Sequence, residues 1–310
     1  MAGVLIFGSG GQLGVELLRT AWPAGLEPIG LPRAACDIAD AAAVARILDA
    51  AEPAILVNAA AYTAVDRAEA EPEIAFRTNR DGPAILGAAC ARHRIPIIHV
   101  STDYVFDGAQ PEGYGEGDPV APLGAYGRSK LDGETALAAA WDDHVILRTA
   151  WLFGAHGENF VKTMVRLGRE RETLAVVTDQ RGSPTPADSL AAAIAVVAAA
   201  ILDRRGRWGI YHFAGDEPVS RHGFAAAIFD RLAERTGRAP ALTPIATADY
   251  PTPARRPANS VLDCTLIERV YGIRPPSWRA GLDRVLEELL TAAPGPAGSA
   301  ATLAGSGSAG

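Results

Sequence analysis

The chain has 310 residues, 48% of them hydrophobic and only 6% aromatic, so Ala, Val, Leu and Ile must fill a sizeable core and wholesale disorder is excluded. A formal net charge of −7 leaves no basic field to hold a polyphosphate backbone, which argues against a nucleic-acid partner. Three widely spaced cysteines form no disulfide framework, and the longest apolar run, residues 190–202, is too short to span a membrane, so a cytoplasmic protein without membrane association is expected.

Residues 4–7, Val-Leu-Ile-Phe, are a short apolar run closed by glycines and followed by Leu13, Glu16, Leu17 and Leu18 at helical spacing, which reads as strand, tight turn and helix. The pattern repeats with a strand near 28–31, a helix after Asp40 carrying Val44, Ile47, Leu48 and Ala51 on one face, and a buried strand at 54–57. Pro72 opens a helix expected to reach about residue 92, because proline in a first turn forfeits no hydrogen bond. A strand at 97–100, a Gly/Pro/Asp-rich loop at 107–124, a helix over 125–141 and a strand at 145–147 follow. This alternation predicts an α/β protein with a Rossmann-type doubly wound parallel sheet, residues 1–150 forming the dinucleotide-binding domain.

Beyond residue 150 the alternation loosens into helices near 159–169, 188–203 and 221–235 with short strands near 174–177 and 210–213. A smaller C-terminal lobe is expected over 151–291, mainly substrate-binding and partly interleaved with the sheet. Leu282, Val285, Leu286, Leu289 and Leu290 make one apolar stripe, so the last helix should pack on the body. Residues 292–310 are uncharged and mostly Ala, Gly, Ser and Pro, the composition of a disordered tail.

Three places carry chemistry. Gly8-Ser9-Gly10-Gly11-Gln12-Leu13-Gly14 lies between the first strand and first helix, where free N–H groups and the helix dipole can bind a pyrophosphate. The acid that usually closes the second strand to bind a ribose 2′-hydroxyl is replaced by Leu31-Pro32-Arg33; Arg33 suits a 2′-phosphate and hence NADPH, NADH remains open, and a solvated loop charge is the alternative. Asp37 and Ile38 could border the adenine. The only two lysines, Lys130 and Lys162, follow Ser129 and Val161, which excludes a P-loop.

Tyr126 and Lys130 stand four apart on the 125–141 helix, hence on one face. The ammonium is expected to lower the phenol pKa, and such a tyrosine can give a proton to a carbonyl oxygen while a nicotinamide gives a hydride to its carbon. Where nearly every basic residue is arginine, a lysine at this spacing is conspicuous. Thr102 follows the fourth strand at the carboxyl edge of the sheet, where a hydroxyl could meet that oxygen; alone it would read as a turn residue.

These residues, with Asn58 to Asp66, Ser101 to Phe106, Arg148 to Trp151, Asn159-Phe160, Asp179 to Thr185 and Tyr250 to Pro257, resemble the extended short-chain dehydrogenase/reductases, and within them the dTDP-4-dehydrorhamnose reductases. The resemblance spans residues 3 to about 290. It implies reduction of the C4 ketone of dTDP-4-dehydro-L-rhamnose with NAD(P)H, a catalytic trio of Thr102, Tyr126 and Lys130, and Lys130 also on the nicotinamide ribose. It further implies that Ala61, Tyr62 and Thr63 line the cofactor, that Thr102, Asp103, Tyr104 and Trp151 meet the sugar nucleotide, and that Arg256 meets its pyrophosphate. Trp151 as a core aromatic is the alternative. Some members hold Mg²⁺ through carboxylates at a homodimer contact; Glu16, Asp188 and Glu288 are the positions here, although Asp188 is short for the reach and solvated surface charges are the simpler reading. Six histidines at scattered positions show no metal-ligand spacing, and no catalytic metal is expected.

Two rivals remain. A nucleotide-sugar epimerase or dehydratase shares the fold, but a dehydratase needs an acid/base pair after the threonine, and Asp103 is followed by Tyr104 rather than Glu. A non-catalytic regulatory subunit also resembles this family; retention of Thr102, Tyr126 and Lys130 argues for catalysis.

Overall fold

In a computed structural model of the chain, residues 1–291 are described; the tail expected over 292–310 lies outside them. A six-stranded sheet runs in the order Gly209–His212, His144–Thr149, Ile97–Thr102, Ile55–Asn58, Ala2–Phe7, Leu26–Leu31, with every neighbouring pair parallel. The chain starts at Ala2–Phe7, steps outward to Leu26–Leu31 and then crosses to Ile55–Asn58, so the strand order reverses beside the first strand, the place where doubly wound sheets open a crevice at their carboxyl ends.

The alternation of side chains along each strand builds a core on both faces. Val4, Ile6, Ile55 and Val57 point to one side, against Leu13 and Leu17 of helix Gln12–Arg19 and the apolar helix Ala187–Leu202. Leu5, Phe7, Leu56 and Ile97 point to the other, against helices Ala41–Ala51, Gly82–His93 and Ala125–Ala140. A third core lies wholly among residues beyond 150. There Phe153, Val161, Met164, Phe224, Phe229, Trp278 and Leu282 join helices Phe160–Glu170, Arg221–Thr236 and Trp278–Thr291. Residues beyond 150 thus supply both this lobe and the edge strand Gly209–His212 of the main sheet.

The helix expected over 72–92 is interrupted. Residues Pro72–Phe76 and Gly82–His93 are α-helical, but Arg77–Asp81 between them widen into one π-helical segment. A short helix Val65–Ala70, absent from the sequence expectation, precedes it. Among the described residues no helix is long and apolar enough to cross a membrane.

Candidate active site

The glycine turn sits at the carboxyl end of the first strand. Gly8 has φ +80°, and a Cβ there would press on the backbone of Ala59 and Ala60, so the turn requires the residue that has none. Gly14 does not reach the cleft; it lets helix Gln12–Arg19 approach, since a Cβ would run into the Gly8 carbonyl. The helix begins at Gly11 without a side-chain cap and without an acid in its first turn, which leaves its N–H groups for an anion.

Three hollows follow one another along the sheet edge. The first, about 440 Å³, is lined by Gly8, Gly10, Gly11, Arg33, Asp37, Ile38 and Ala61. Arg33 is exposed at its wall, and Asp37 is paired with Arg77 at 2.8 Å. The second, about 520 Å³, shares Gly11, Ala59 and Ala61 with the first and brings Gln12, Leu13 and Thr63 together with Thr102, Asp103, Tyr104, Tyr126, Lys130 and Trp151. The third, about 780 Å³, shares Val65, Tyr104, Phe160 and Arg221 with the second and reaches Arg256. The glycine cradle, the uncapped helix start and the Arg33 wall fit a dinucleotide laid across the first two.

Tyr62 departs from its expected place. Its phenol donates to Glu71 at 3.0 Å and its ring packs with Ala68, Ala75 and Ala125, away from the three hollows. The backbone of Tyr62 is what is positioned: Asn79, buried in the π-helical segment, accepts from Tyr62 N at 2.8 Å and donates to Tyr62 O at 2.9 Å and to Ser129 Oγ at 3.0 Å. Ser129 in turn donates to the Tyr126 carbonyl at 2.8 Å, so one amide ties the Ala61–Thr63 loop to the helix of the Tyr/Lys pair. That helix starts where Ala125 N donates to Glu69 at 2.7 Å.

At the centre, the Thr102 hydroxyl donates to Asp103 Oδ1 at 3.0 Å and accepts from Tyr104 N at 3.2 Å. Burial pushes the Tyr126 phenol above its ordinary value, with the neighbouring Thr102 hydroxyl working against it. The expected lowering of this phenol by Lys130 is not what the geometry gives: Nζ is turned to the Val100 carbonyl, 2.7 Å away, and to His99. Burial also lowers Lys130, to about 8, and raises the Asp103 carboxyl to about 6.

Arg256 lines the third hollow and is at the same time paired within the protein. Its guanidinium meets Asp66 through two bonds of 3.1 and 2.7 Å and adds Thr252 Oγ1 at 2.6 Å, clasping the segment around residues 250–257 to the helix Val65–Ala70. The free end of an arginine facing the second and third hollows belongs instead to Arg221, which lies over Trp151 and beside Tyr104 and Asp103. No motif marked Arg221 in a chain that uses arginine for nearly all its positive charge.

Glu16, Asp188 and Glu288 do line one surface hollow, but with Arg19 and Arg284 among them. Glu288 is paired with Arg19 at 2.7 Å, Asp188 with Arg284 at 2.8 Å, and His156 stands beside Glu16 and Glu288. Among the described residues no group of three or more His, Cys, Asp or Glu is placed to hold an ion, so Mg²⁺ is not supported: the carboxylates face guanidinium groups.

Moving a hydride and a proton onto a carbonyl calls for a dinucleotide seat, an acid and a hydrogen-bond donor, and one crevice at the switch point of the sheet brings together groups of these kinds: the Gly8–Gly11 turn, the Tyr126 phenol and the Thr102 hydroxyl. That combination defines the class of short-chain dehydrogenase/reductases. Residues 1–291 match the family described as RmlD substrate binding domain. Over 287 residues the chain is 45% identical to a dTDP-4-dehydrorhamnose reductase of Sinorhizobium fredii, covering 92% of this chain and 97% of that one. A crystal structure of a dTDP-4-dehydrorhamnose reductase from Clostridium acetobutylicum superposes with a TM-score of 0.86 at 37% identity, over 93% of this chain and all (100%) of that one. Another, from Bacillus anthracis in complex with NADP, gives 0.85 at 34% identity over the same 93% and 100%. The chain belongs to the dTDP-4-dehydrorhamnose reductase family.

Proposed function

We propose that the protein reduces the C4 ketone of dTDP-4-dehydro-L-rhamnose to give dTDP-L-rhamnose, with NADPH as reductant. The observation that carries this reading is the order of the three hollows: a dinucleotide seat, a centre with Thr102, Tyr126 and Lys130, and a distal groove entered past Arg221. Two nucleotide-bearing ligands fit such a trough end to end, their reacting ends meeting at the centre. NADPH, when bound, supplies the hydride.

The chain's own residues do the rest. Burial keeps the Tyr126 phenol protonated, so it can give that proton to the C4 oxygen. The Thr102 hydroxyl, now donated to Asp103, can turn to the same oxygen as charge develops there. Arg221 takes the substrate diphosphate, the part the resemblance implies for Arg256, whose guanidinium already spends two of its N–H groups on Asp66. Arg33 suits a 2′-phosphate, and the Bacillus anthracis relative with NADP supports the same preference. Three buried cysteines without a disulfide suit a reducing cytoplasm.

The test is NADPH oxidation with dTDP-4-dehydro-L-rhamnose generated in situ and the product identified by NMR. Folded protein that binds NADPH yet oxidises none of it would overturn the assignment. Equal efficiency with the corresponding uridine-linked ketosugar would remove the thymidine nucleotide from it.

A further inference from the structure

Behind the Tyr/Lys pair lies a row of polar side chains sealed from solvent: Asn58 at the end of strand Ile55–Asn58, His99 in strand Ile97–Thr102 and Lys130 in helix Ala125–Ala140. Asn58 and His99 are 0% exposed and Lys130 is 1% exposed. The orientation of the Asn58 amide is fixed by its surroundings. Its Oδ1 accepts from Ala60 N at 3.1 Å, so Nδ2 faces His99 Nδ1 at 3.0 Å. An amide nitrogen only donates, so Nδ1 is the ring nitrogen without a proton and Nε2 carries it. Nε2 stands 3.3 Å from Lys130 Nζ, which spends one donor on the Val100 carbonyl at 2.7 Å. An ammonium has no lone pair to receive Nε2–H; a neutral amine has one.

We propose that His99 is a positioning residue for Lys130: held by Asn58 with its proton on Nε2, it aims that proton at the amine and favours the uncharged form. Lys130 is then a group that takes up and releases a proton near neutral pH, not a permanent cation.

The surroundings agree. Burial lowers Lys130 to about 8, and burial together with Lys130 holds His99 well below its ordinary value, so the ring stays neutral. The other titratable or charged groups around the amine are few. Glu134, one turn along the same helix, favours the ammonium, but its carboxylate is bonded by Arg148 of strand His144–Thr149 at 3.0 and 2.7 Å. His144, opening that strand, acts on His99 in the same sense as Lys130 does. Tyr126 lies one turn back, and Asp103 lines the same hollow. None of them presents a donor to Nζ as His99 does. For turnover, Tyr126 loses a proton to the substrate oxygen and recovers one from solvent entering the hollow it shares with Lys130, whose charge then bears on that recovery. This last step rests on the reductase reading. The protonation states do not.

The scarcity of lysine makes the test direct, because ¹³Cε-lysine labelling gives two signals, from Lys130 and Lys162. In ¹⁵N-histidine spectra of the wild-type protein His99 should show the Nε2–H tautomer, and Lys130 should titrate near 8. Asn58→Leu frees Nδ1 from its donor without adding charge, and Asn58→Asp draws the ring proton to Nδ1 so that Nε2 accepts. Either should raise the Lys130 midpoint by about one unit or more and carry the basic limb of the kcat profile the same way. An Nδ1–H or cationic His99 in the wild type, or an unmoved Lys130 midpoint in folded Asn58→Leu, overturns the proposal. The tautomer decides even where both variants fail to fold. A protein with these titrations and no ketosugar reduction would leave the proposal standing and strike the functional reading instead.

Discussion

The guanidinium carbon of Arg221 lies 3.6 Å from the centroid of the Trp151 ring, where the central and distal hollows meet. Trp151 is itself held unusually, with φ +45° in the left-handed region, and Gly182 leaves room for the indole that a Cβ would fill. Stacking fixes the arginine while leaving its edge for oxygen atoms of a ligand, the arrangement a diphosphate needs. Hydrogen bonds to charged groups are worth about 1.5–3 kcal/mol, so Arg221→Met should raise KM for the nucleotide sugar by about ten- to a hundredfold. KM for NADPH should stay put. Steady-state kinetics with each substrate varied decides it, and an unchanged sugar-nucleotide KM removes Arg221 from the diphosphate.

Arg256 and Asp66 should behave as one device. If their pair only clasps the segment around 250–257, Asp66→Ala and Arg256→Ala undo the same contact and the double variant loses no more than either alone. A double-mutant cycle on KM measures this. An Arg256→Ala defect far exceeding that of Asp66→Ala, with additive effects, would restore direct contact with the substrate.

Arg33 stands exposed at the wall of the first hollow, beyond the glycine turn. Arg33→Ala should raise KM for NADPH by about tenfold and leave that for NADH nearly unchanged, since only the former has a phosphate to lose. Equal effects on both cofactors would make Arg33 a bystander.

The parts of this protein legible in its sequence are those set by local periodicity. Residues 4–7 and 54–57 read as buried strands because both faces of a parallel sheet are covered, and Tyr126 with Lys130 had to share a face because the helix repeat puts them there. What depends on long-range packing was not legible. The π-helical segment Arg77–Asp81 has no propensity signature, and only the fold reveals that Asn79 within it joins Tyr62 to Ser129. Arg221 and Arg256 look alike as letters; Asp66, far away in the chain, neutralises one and leaves the other for the cleft. The direction of the Lys130 amine was likewise set by His99 and Val100, not by its spacing from Tyr126.

Tyr126→Phe keeps the ring, its packing and its edge contact with Tyr104, and removes the phenolic proton. General acid catalysis contributes about 10²- to 10⁴-fold, so kcat should fall by that order with NADPH affinity little changed. Thr102→Val should cost less, about 2–4 kcal/mol of transition-state stabilisation at most, as for one oxyanion donor. Near wild-type turnover in folded Tyr126→Phe would leave the regulatory-subunit reading ahead.

Asp103 allows a prediction about stability rather than rate. Its carboxyl is 2% exposed, and burial raises it to about 6 against the helping effects of Ser260, Thr102 and Arg221. The folded protein therefore keeps a proton that the unfolded chain, with an ordinary aspartate near 3.8, has already released. Stability from this group is fully present below the unfolded value and is lost as pH rises through about 6, levelling off above it. Holding the proton from 3.8 up to about 6 makes that loss about 3 kcal/mol at most. Asp103→Asn keeps the volume and an acceptor for the Thr102 hydroxyl but cannot ionise. The variant should therefore match the wild type in denaturant unfolding at about pH 4 and exceed it by about 1–3 kcal/mol at about pH 7.5. A variant less stable than the wild type at the higher pH would mean that the Asp103 carboxylate is compensated where it lies, and that its charge belongs to the folded state.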